Sequence, residues 1–191
     1  MVGRLGGRQA ALHGVSGVVR EAVPARRLGG HRYRGGQWLV DVWGMASWSS
    51  WVGLEEARLA VPRLPGVYMA RSGLEDRVVY VGCAAERRGT SPRPPQGMRG
   101  RIAKYTGGLA SGLGEAALDR ALADPHWLRE RLVEVEAGQP MRAAHWAKAA
   151  IVRAELELCW AVTSTGEEAR NLETRVIAVL PPLWNRRVPP A

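Results

Sequence analysis

The chain has 191 residues, of which 46% are apolar, so it is long enough for one domain with a single hydrophobic core. Its net charge of +9, carried almost entirely by arginine, favours a polyanionic partner such as nucleic acid. No uncharged apolar stretch approaches about 18 residues and the N-terminus has no secretion signal, so we expect a cytoplasmic protein that does not contact a membrane.

The first 36 residues hold seven arginines, Arg32 and Arg34 among them, against Glu21 alone, a balance of +6, together with three glycine pairs. A coding bias toward arginine and glycine would explain such a composition but not this concentration of charge. We therefore predict a flexible basic arm that lies along DNA or is disordered without it, followed by a folded domain over residues 37–191.

The next segment is rich in tryptophan. The run WLVDVW, residues 38–43, predicts a strand, and Trp48 and Trp51 are three apart, which would place them on one side of a helical turn. Packing in the core is the favoured role for these two, with a hydrophobic lid and a dimer contact as alternatives. Residues 54–64 have helical spacing, and Pro62 and Pro65 end that helix.

Two short apolar runs, residues 66–70 and 78–82, flank a polar segment that contains Gly73, a pattern typical of an antiparallel β-hairpin. Each run carries one tyrosine, Tyr68 and Tyr80. Only four tyrosines and no phenylalanine occur in the chain, so this concentration points to a function beyond packing.

A loop rich in proline and glycine follows the hairpin, and residues 86–104 contain six basic side chains and one acidic one. The segment is a candidate DNA contact, formed by Arg87, Arg88, Arg93, Arg99 and Lys104. The helix that ends it should place Arg101 and Tyr105, four residues apart, on one face, with Met98 and Ile102 as its apolar anchor and Arg99 pointing elsewhere.

Three helical stretches are predicted within residues 107–153, at 115–123, 125–136 and 141–153. Residues 155–165 then predict a strand that leads into a last helix, which begins with a capping box at Thr165 and Glu168 and ends at Pro181. On that helix Glu173 should project along the apolar stripe. A buried carboxylate needs a partner, either a divalent cation or an arginine.

Cys83 and Cys159 are too few for a disulfide framework and lack the spacing of zinc ligands with the four histidines. We expect two buried thiols.

The triplets GVY and YVG, separated by eleven residues, resemble the signature of the GIY-YIG nucleases. The family's later motifs follow in order: a helix with an arginine and, one turn on, a tyrosine or histidine, then a metal-binding glutamate helix and a short asparagine segment. The resemblance spans about 120 residues. It maps these motifs to Tyr68, Tyr80, Arg101, Tyr105, Glu173 and Asn185.

The resemblance implies a small α/β (α+β) domain with a three-stranded antiparallel sheet flanked by helices, and it makes residues 107–153 an insertion that serves target recognition or only covers the sheet. It implies hydrolysis of a phosphodiester with Mg²⁺ or Mn²⁺ held by Glu173. Tyr68 would be the base or its helper, Tyr80 would bond phosphate or water, Arg101 would stabilise the transition state, and Asn185 would orient the site. Because a free tyrosine has a pKa near 10, activity should rise with pH.

The sequence thus predicts a metal-dependent endonuclease acting on double-stranded DNA, most similar to the free-standing type II restriction enzymes, and a homodimer, because cutting both strands of a symmetric target requires two sites. Two alternatives remain open: a DNA-binding module that keeps the fold without cutting, and a nuclease for RNA or for modified or damaged DNA.

Overall fold

The computed structural model describes residues 41–74, 77–85, 96–108, 112–139 and 141–186. In chain order its elements are β1 (Val52–Gly53), α1 (Leu54–Ala60), β2 (Gly66–Ser72), β3 (Arg77–Ala84), α2 (Gly97–Thr106), α3 (Leu113–Leu122), α4 (Pro125–Glu136), α5 (Ala143–Arg153), β4 (Leu156–Val162) and α6 (Gly166–Val179). The class is α+β, as predicted. Within these ranges, no helix is long and apolar enough to cross a membrane.

The strands form an antiparallel sheet in the order β1-β4-β2-β3. The predicted hairpin and third strand are β2, β3 and β4, and Tyr68 in the central strand β2 pairs with Gly82 on one side and Trp160 on the other. The expected count of three misses β1, a two-residue strand on the outer edge of β4. Two residues carry too little pattern to be recognised from sequence.

Helices cover both faces of the sheet. The first face, which carries Tyr68 and Leu158, packs against α1, α2, α3 and α5. The second face, which carries Val67 and Cys159, packs against α6 through Leu172 and Val176. All three helices predicted for residues 107–153 are present, and α3, α4 and α5 share a small cluster of their own around Trp127.

The segment before β1 differs from its prediction. Residues 41–43 are helical, so the strand predicted over residues 38–43 is wrong where the structure describes it. Trp48 and Trp51 do not share a helical turn, because Ser49 exchanges hydrogen bonds with Trp160 and holds the segment extended along β4. Both indoles pack on the core beneath the second face, which confirms the favoured role.

Two helix ends follow local chemistry. The helix predicted over residues 54–64 already ends at Ala60, since Val61 precedes Pro62 and is held extended. At the start of α6, the Thr165 hydroxyl accepts a hydrogen bond from the Glu168 amide at 3.1 Å, and the Glu168 carboxylate accepts one from the Ser164 amide. The predicted capping box therefore forms, with its return bond one residue earlier than usual.

Candidate active site

Three tyrosines from three elements meet beside β3. The hydroxyl oxygens of Tyr68 in β2 and Tyr105 in α2 are 2.6 Å apart, and the Tyr68 ring lies 6.3 Å from the Tyr80 ring and 6.2 Å from the Tyr105 ring, centroid to centroid. Tyr68 and Tyr105 are buried, whereas Tyr80 is partly exposed. Tyr80 is therefore the member of this group that can meet a ligand directly.

A bulge in β3 lies directly beside Tyr80. The pairing with β2 passes from Tyr80 opposite Ala70 to Val78 opposite Arg71, which leaves Val79 unpaired. Strand alternation alone would send Tyr80 to the opposite face from Val79, but both contact the core of the first face. Tyr80, paired with Ala70, faces the same side as Tyr68 by ordinary alternation, so the extra residue turns Val79 onto that face.

Glycines leave room for the tyrosine rings. A Cβ on Gly82 would lie 2.5 Å from the Tyr68 hydroxyl and 2.8 Å from the Tyr80 ring. Gly112, at a φ of +56° that other residues rarely adopt, would place a Cβ 2.7 Å from the Tyr80 hydroxyl. These contacts give a physical reason for the glycine of the YVG triplet.

Burial raises the pKa of all three tyrosines, which therefore stay neutral near pH 7. Hydrogen bonding raises the pKa of Tyr68 and Tyr80 further, but lowers that of Tyr105 against the larger effect of burial. The Tyr68 and Tyr105 hydroxyls share one hydrogen bond in which either oxygen can donate, and the Leu113 amide at the start of α3 donates to Tyr105. Of the three, Tyr105 is the oxygen best supported to hold a negative charge.

Arg101 places a positive charge beside the tyrosines. It lies one helical turn before Tyr105, and its charge acts on Tyr68, Tyr80, Tyr105 and Cys83. Burial alone would lower the pKa of Arg101, but the tyrosines raise it, so the guanidinium remains charged. It belongs to no ion pair among the described residues, so its charge is available to an anion.

Glu173 reaches the same place from α6. Its charge raises the pKa of Tyr80, and it accepts a hydrogen bond from the Cys83 thiol, whose pKa burial and this carboxylate raise to about 12. Glu173 is half-buried, at the border of the stripe along which it was expected to project. None of the ion pairs between described residues involves it, so the alternative of a salt bridge to arginine has no support in these ranges. Cys83 is only partly buried, unlike Cys159.

Asn185 holds the edge strand that carries Tyr80. Its side chain accepts a hydrogen bond from the Val81 amide at 2.9 Å and donates one to the Val81 carbonyl at 2.7 Å. Trp184 adds a bond from its amide to the Val79 carbonyl. Asn185 and Trp184 thus pair with the open edge of β3 on either side of Tyr80, and the role of Asn185 in orienting the site stays a prediction.

The predicted DNA contacts are placed only in part. Arg99 donates hydrogen bonds to the carbonyls of Val61 and Leu59 at the C-terminal end of α1. Its guanidinium is therefore engaged within the fold. Lys104 is partly exposed on α2. The basic arm over residues 1–36 lies outside the described residues. So do the remaining predicted contacts, which are Arg32, Arg34, Arg87, Arg88 and Arg93.

The sequence interpretation missed three members of the site. Cys83 bonds Glu173, Leu113 supports Tyr105, and Gly112 packs against Tyr80. Gly112 was given no role by the sequence pattern. The signal available was its position directly before a helix, where a residue at positive φ allows close approach.

The donor set fits magnesium better than zinc. No group of three or more His, Cys, Asp or Glu side chains that could hold a metal occurs among the described residues. Mg²⁺ keeps several waters and commonly takes one or two carboxylates together with substrate phosphates. The half-buried Glu173, beside Arg101 and Tyr80, matches that requirement, whereas structural zinc sites need four protein ligands.

Comparison with family models, with curated proteins and with solved structures finds no match for this chain.

Proposed function

We propose that this chain is an endonuclease of the GIY-YIG superfamily that hydrolyses double-stranded DNA with Mg²⁺ or Mn²⁺. The observation that carries the proposal is the convergence at β3 of residues far apart in sequence: Tyr68, Tyr80, Arg101, Tyr105 and Glu173. Each occupies the position that the resemblance assigns to a functional residue. Packing alone does not require a free arginine, a carboxylate and three joined hydroxyls at one strand edge.

The order of elements supports the same family. The β2-β3 hairpin carries the two tyrosine triplets, α2 carries Arg101 and Tyr105, and α6 carries Glu173 after β4. In this interpretation β2, β3 and β4 form the family's three-stranded sheet, and β1 is an addition at its edge. The helices α3, α4 and α5 are the insertion.

The residues divide the chemistry of hydrolysis among them. Negative charge builds on the phosphoryl group as water attacks, and the charged guanidinium of Arg101 is placed to stabilise it. Tyr80, the exposed hydroxyl, orients water or phosphate. Glu173 would hold the Mg²⁺, which stabilises charge on the phosphate and the leaving oxygen when bound.

The proton of the attacking water must be accepted by one of these groups. The group acts as a base only when one of its hydroxyls is ionised, and hydrogen bonds favour that state at Tyr105. Water then gives its proton to the Tyr80 oxygen while Tyr80 passes its own proton to the Tyr105 oxygen, so hydroxide attacks the phosphorus and Tyr105 ends neutral. Tyr68 is then the helper rather than the base. Burial raises the pKa of all three tyrosines above 10, so the cleavage rate should keep rising with pH at least to pH 10.

The charge of the molecule fits a DNA partner. The net charge of +9 attracts a polyanion, and a restriction enzyme that needs no separate DNA-binding domain requires such a surface on its own chain. Type II restriction enzymes are therefore the closest functional class. A nuclease for RNA or modified DNA uses the same chemistry and differs in the substrate it selects.

One observation favours the alternative of a binding module without cleavage. The neutral, buried tyrosines provide no tyrosinate in the free protein at pH 7, so a base must be generated on binding DNA. A module that only binds would keep Arg101 as a phosphate contact and have no use for Glu173.

Incubation of the purified chain with supercoiled plasmid distinguishes these functions. With Mg²⁺ we expect nicked and linear products, none with EDTA, and none from an Arg101→Ala variant in either buffer. Single-stranded RNA and methylated plasmid in parallel reactions identify the preferred substrate. Tight plasmid binding without cleavage of any of these nucleic acids would leave the binding module as the function.

A further inference from the structure

The helix α4 buries little of its surface. Of its 12 residues only Trp127 is buried, packed edge-on against Trp146 of α5 at 6.0 Å, with the Arg131 guanidinium 5.4 Å from the Trp127 ring. Isolated helices of about 12 residues are marginal in water, and helices in proteins gain most of their stability by burying an apolar face. The small buried surface of α4 indicates that a partner covers more of it.

An apolar stripe runs along the exposed side of α4. Leu128, Leu132 and Val135 are spaced by four and three residues, so they lie on one side of the helix, and they are 39%, 54% and 43% exposed. Val133, 64% exposed, lies about 100° around the helix from Leu132 and is not part of the stripe. Single exposed apolar residues are ordinary, but a continuous stripe on one helix marks a contact surface.

Two opposite charges flank the stripe. Arg129 and Glu136 are seven residues apart, which places both on the same flank, and both are exposed. Neither belongs to an ion pair between described residues. On α4 as a whole, three glutamates outnumber two arginines, so this face does not favour DNA phosphate.

We propose that α4 is the contact surface between two copies of this chain, packed antiparallel about a two-fold axis near Leu132. In that arrangement Leu128 of one copy lies opposite Val135 of the other, and Arg129 lies opposite Glu136 twice, once on each side of the axis. The antiparallel helix dipoles add attraction. Arg131, which also approaches the axis, is already neutralised by Glu130 and Glu134.

The size of the surface sets the strength of the dimer. A helix of 12 residues is about 18 Å long, so it covers less than the about 800 Å² that each partner of a stable complex buries. We therefore expect a dimer in equilibrium with the monomer, favoured by higher protein concentration and low salt. The contact does not depend on catalysis and forms without DNA or metal.

Charge reversal tests this geometry on the full chain. Sedimentation velocity over a range of concentrations is measured for the parent, Arg129→Glu, Glu136→Arg and an equal mixture of the two variants. Each variant alone brings like charges together on both sides of the axis, so its dissociation constant should rise about tenfold. In the mixed dimer both pairs are again opposite in sign, so the mixture should return to within about threefold of the parent.

Leu132→Glu provides the second test, with Leu59→Glu as its control, since Leu59 is 66% exposed on α1, away from α4. The Leu132 variant should remain monomeric and the Leu59 variant should dimerise like the parent, both with the parent's melting temperature. A parent that stays monomeric at every concentration overturns the proposal. So does a mixture that dimerises no better than its components, or an equal effect of both leucine variants.

Discussion

At the scale of single residues, the tyrosine group depends on the absence of side chains around it. We predict that Gly82→Ala lowers the free energy of unfolding by about 1–3 kcal/mol, because its methyl group overlaps the Tyr68 hydroxyl and the Tyr80 ring. The nicking rate should fall more than stability explains. Gly53→Ala, which has open space around it, is the matched control. Unchanged stability and rate for Gly82→Ala would show that the tyrosines do not pack as described.

The buried tyrosines also predict how stability depends on pH. Their pKa values are raised in the folded state, so above about pH 10 the unfolded chain loses protons that the folded chain retains, and folding weakens as pH rises. Each tyrosine contributes up to about 1.4 kcal/mol per pH unit in that range. Below pH 10 they add no slope.

Urea denaturation between pH 8 and pH 11 measures this effect. We expect stability to decline from about pH 9, where burial keeps the Cys83 and Cys159 thiols protonated only in the folded chain, and to decline more steeply above pH 10, where the tyrosines add to the slope. Above pH 10 the decline should be shallower for Tyr105→Phe, which removes one of the titrating hydroxyls. Equal slopes for the parent and the variant would mean that Tyr105 titrates as in the unfolded chain.

At the scale of elements, β3 depends on a side chain rather than on a neighbouring strand. We predict that Asn185→Ala, which leaves the Val81 amide and carbonyl without these partners, destabilises the fold by about 1–2 kcal/mol and slows cleavage by displacing Tyr80. Asn171→Ala, exposed on α6, should change neither. Melting temperature and nicking rate check the prediction, and a loss of neither in the Asn185 variant would contradict it.

The elements also show how far the sequence allows the fold to be predicted. The hairpin, α2 and α6 were recognisable because local signals agree: alternating apolar residues and Gly73 for the hairpin, and Thr165 with Glu168 for α6. The segment over residues 41–51 was misjudged because hydrogen bonds between Ser49 and Trp160, more than 100 residues apart, determine its path. Tertiary pairing of this kind leaves no local pattern.

The site was predictable to a similar degree. The positions of Tyr68, Tyr80, Arg101, Tyr105 and Glu173 could be assigned by resemblance, and the structure brings them together. The bulge at Val79 and the bond between Cys83 and Glu173 could not be assigned, because each depends on how two elements meet in space. Neither a valine in a strand nor a cysteine indicates such a role by its residue type alone.

At the scale of the whole molecule, charge is distributed unevenly along the chain. Residues 1–36 carry +6 of the +9 net charge, so their deletion should weaken binding to any DNA and flatten its dependence on salt, because fewer counterions are released. Cleavage chemistry on saturating DNA should persist. Binding titrations of the full and shortened chains at several salt concentrations measure the two slopes, and equal slopes would remove the arm from the DNA interface.

The central claim is that Glu173 holds a catalytic metal beside Arg101 and the tyrosines. Glu173→Gln keeps the size of the side chain and removes its charge, and Glu167→Gln, exposed on the same helix, is the control. The decisive measurement is the nicking rate of plasmid by each variant in Mg²⁺, with melting temperature and DNA affinity determined on the same samples. We predict that the Glu173 variant melts like the parent, binds DNA as tightly or more tightly because a charge that repels phosphate is gone, and nicks it slower by several orders of magnitude. A stable Glu173→Gln protein that nicks plasmid at the parental rate would contradict the proposed mechanism.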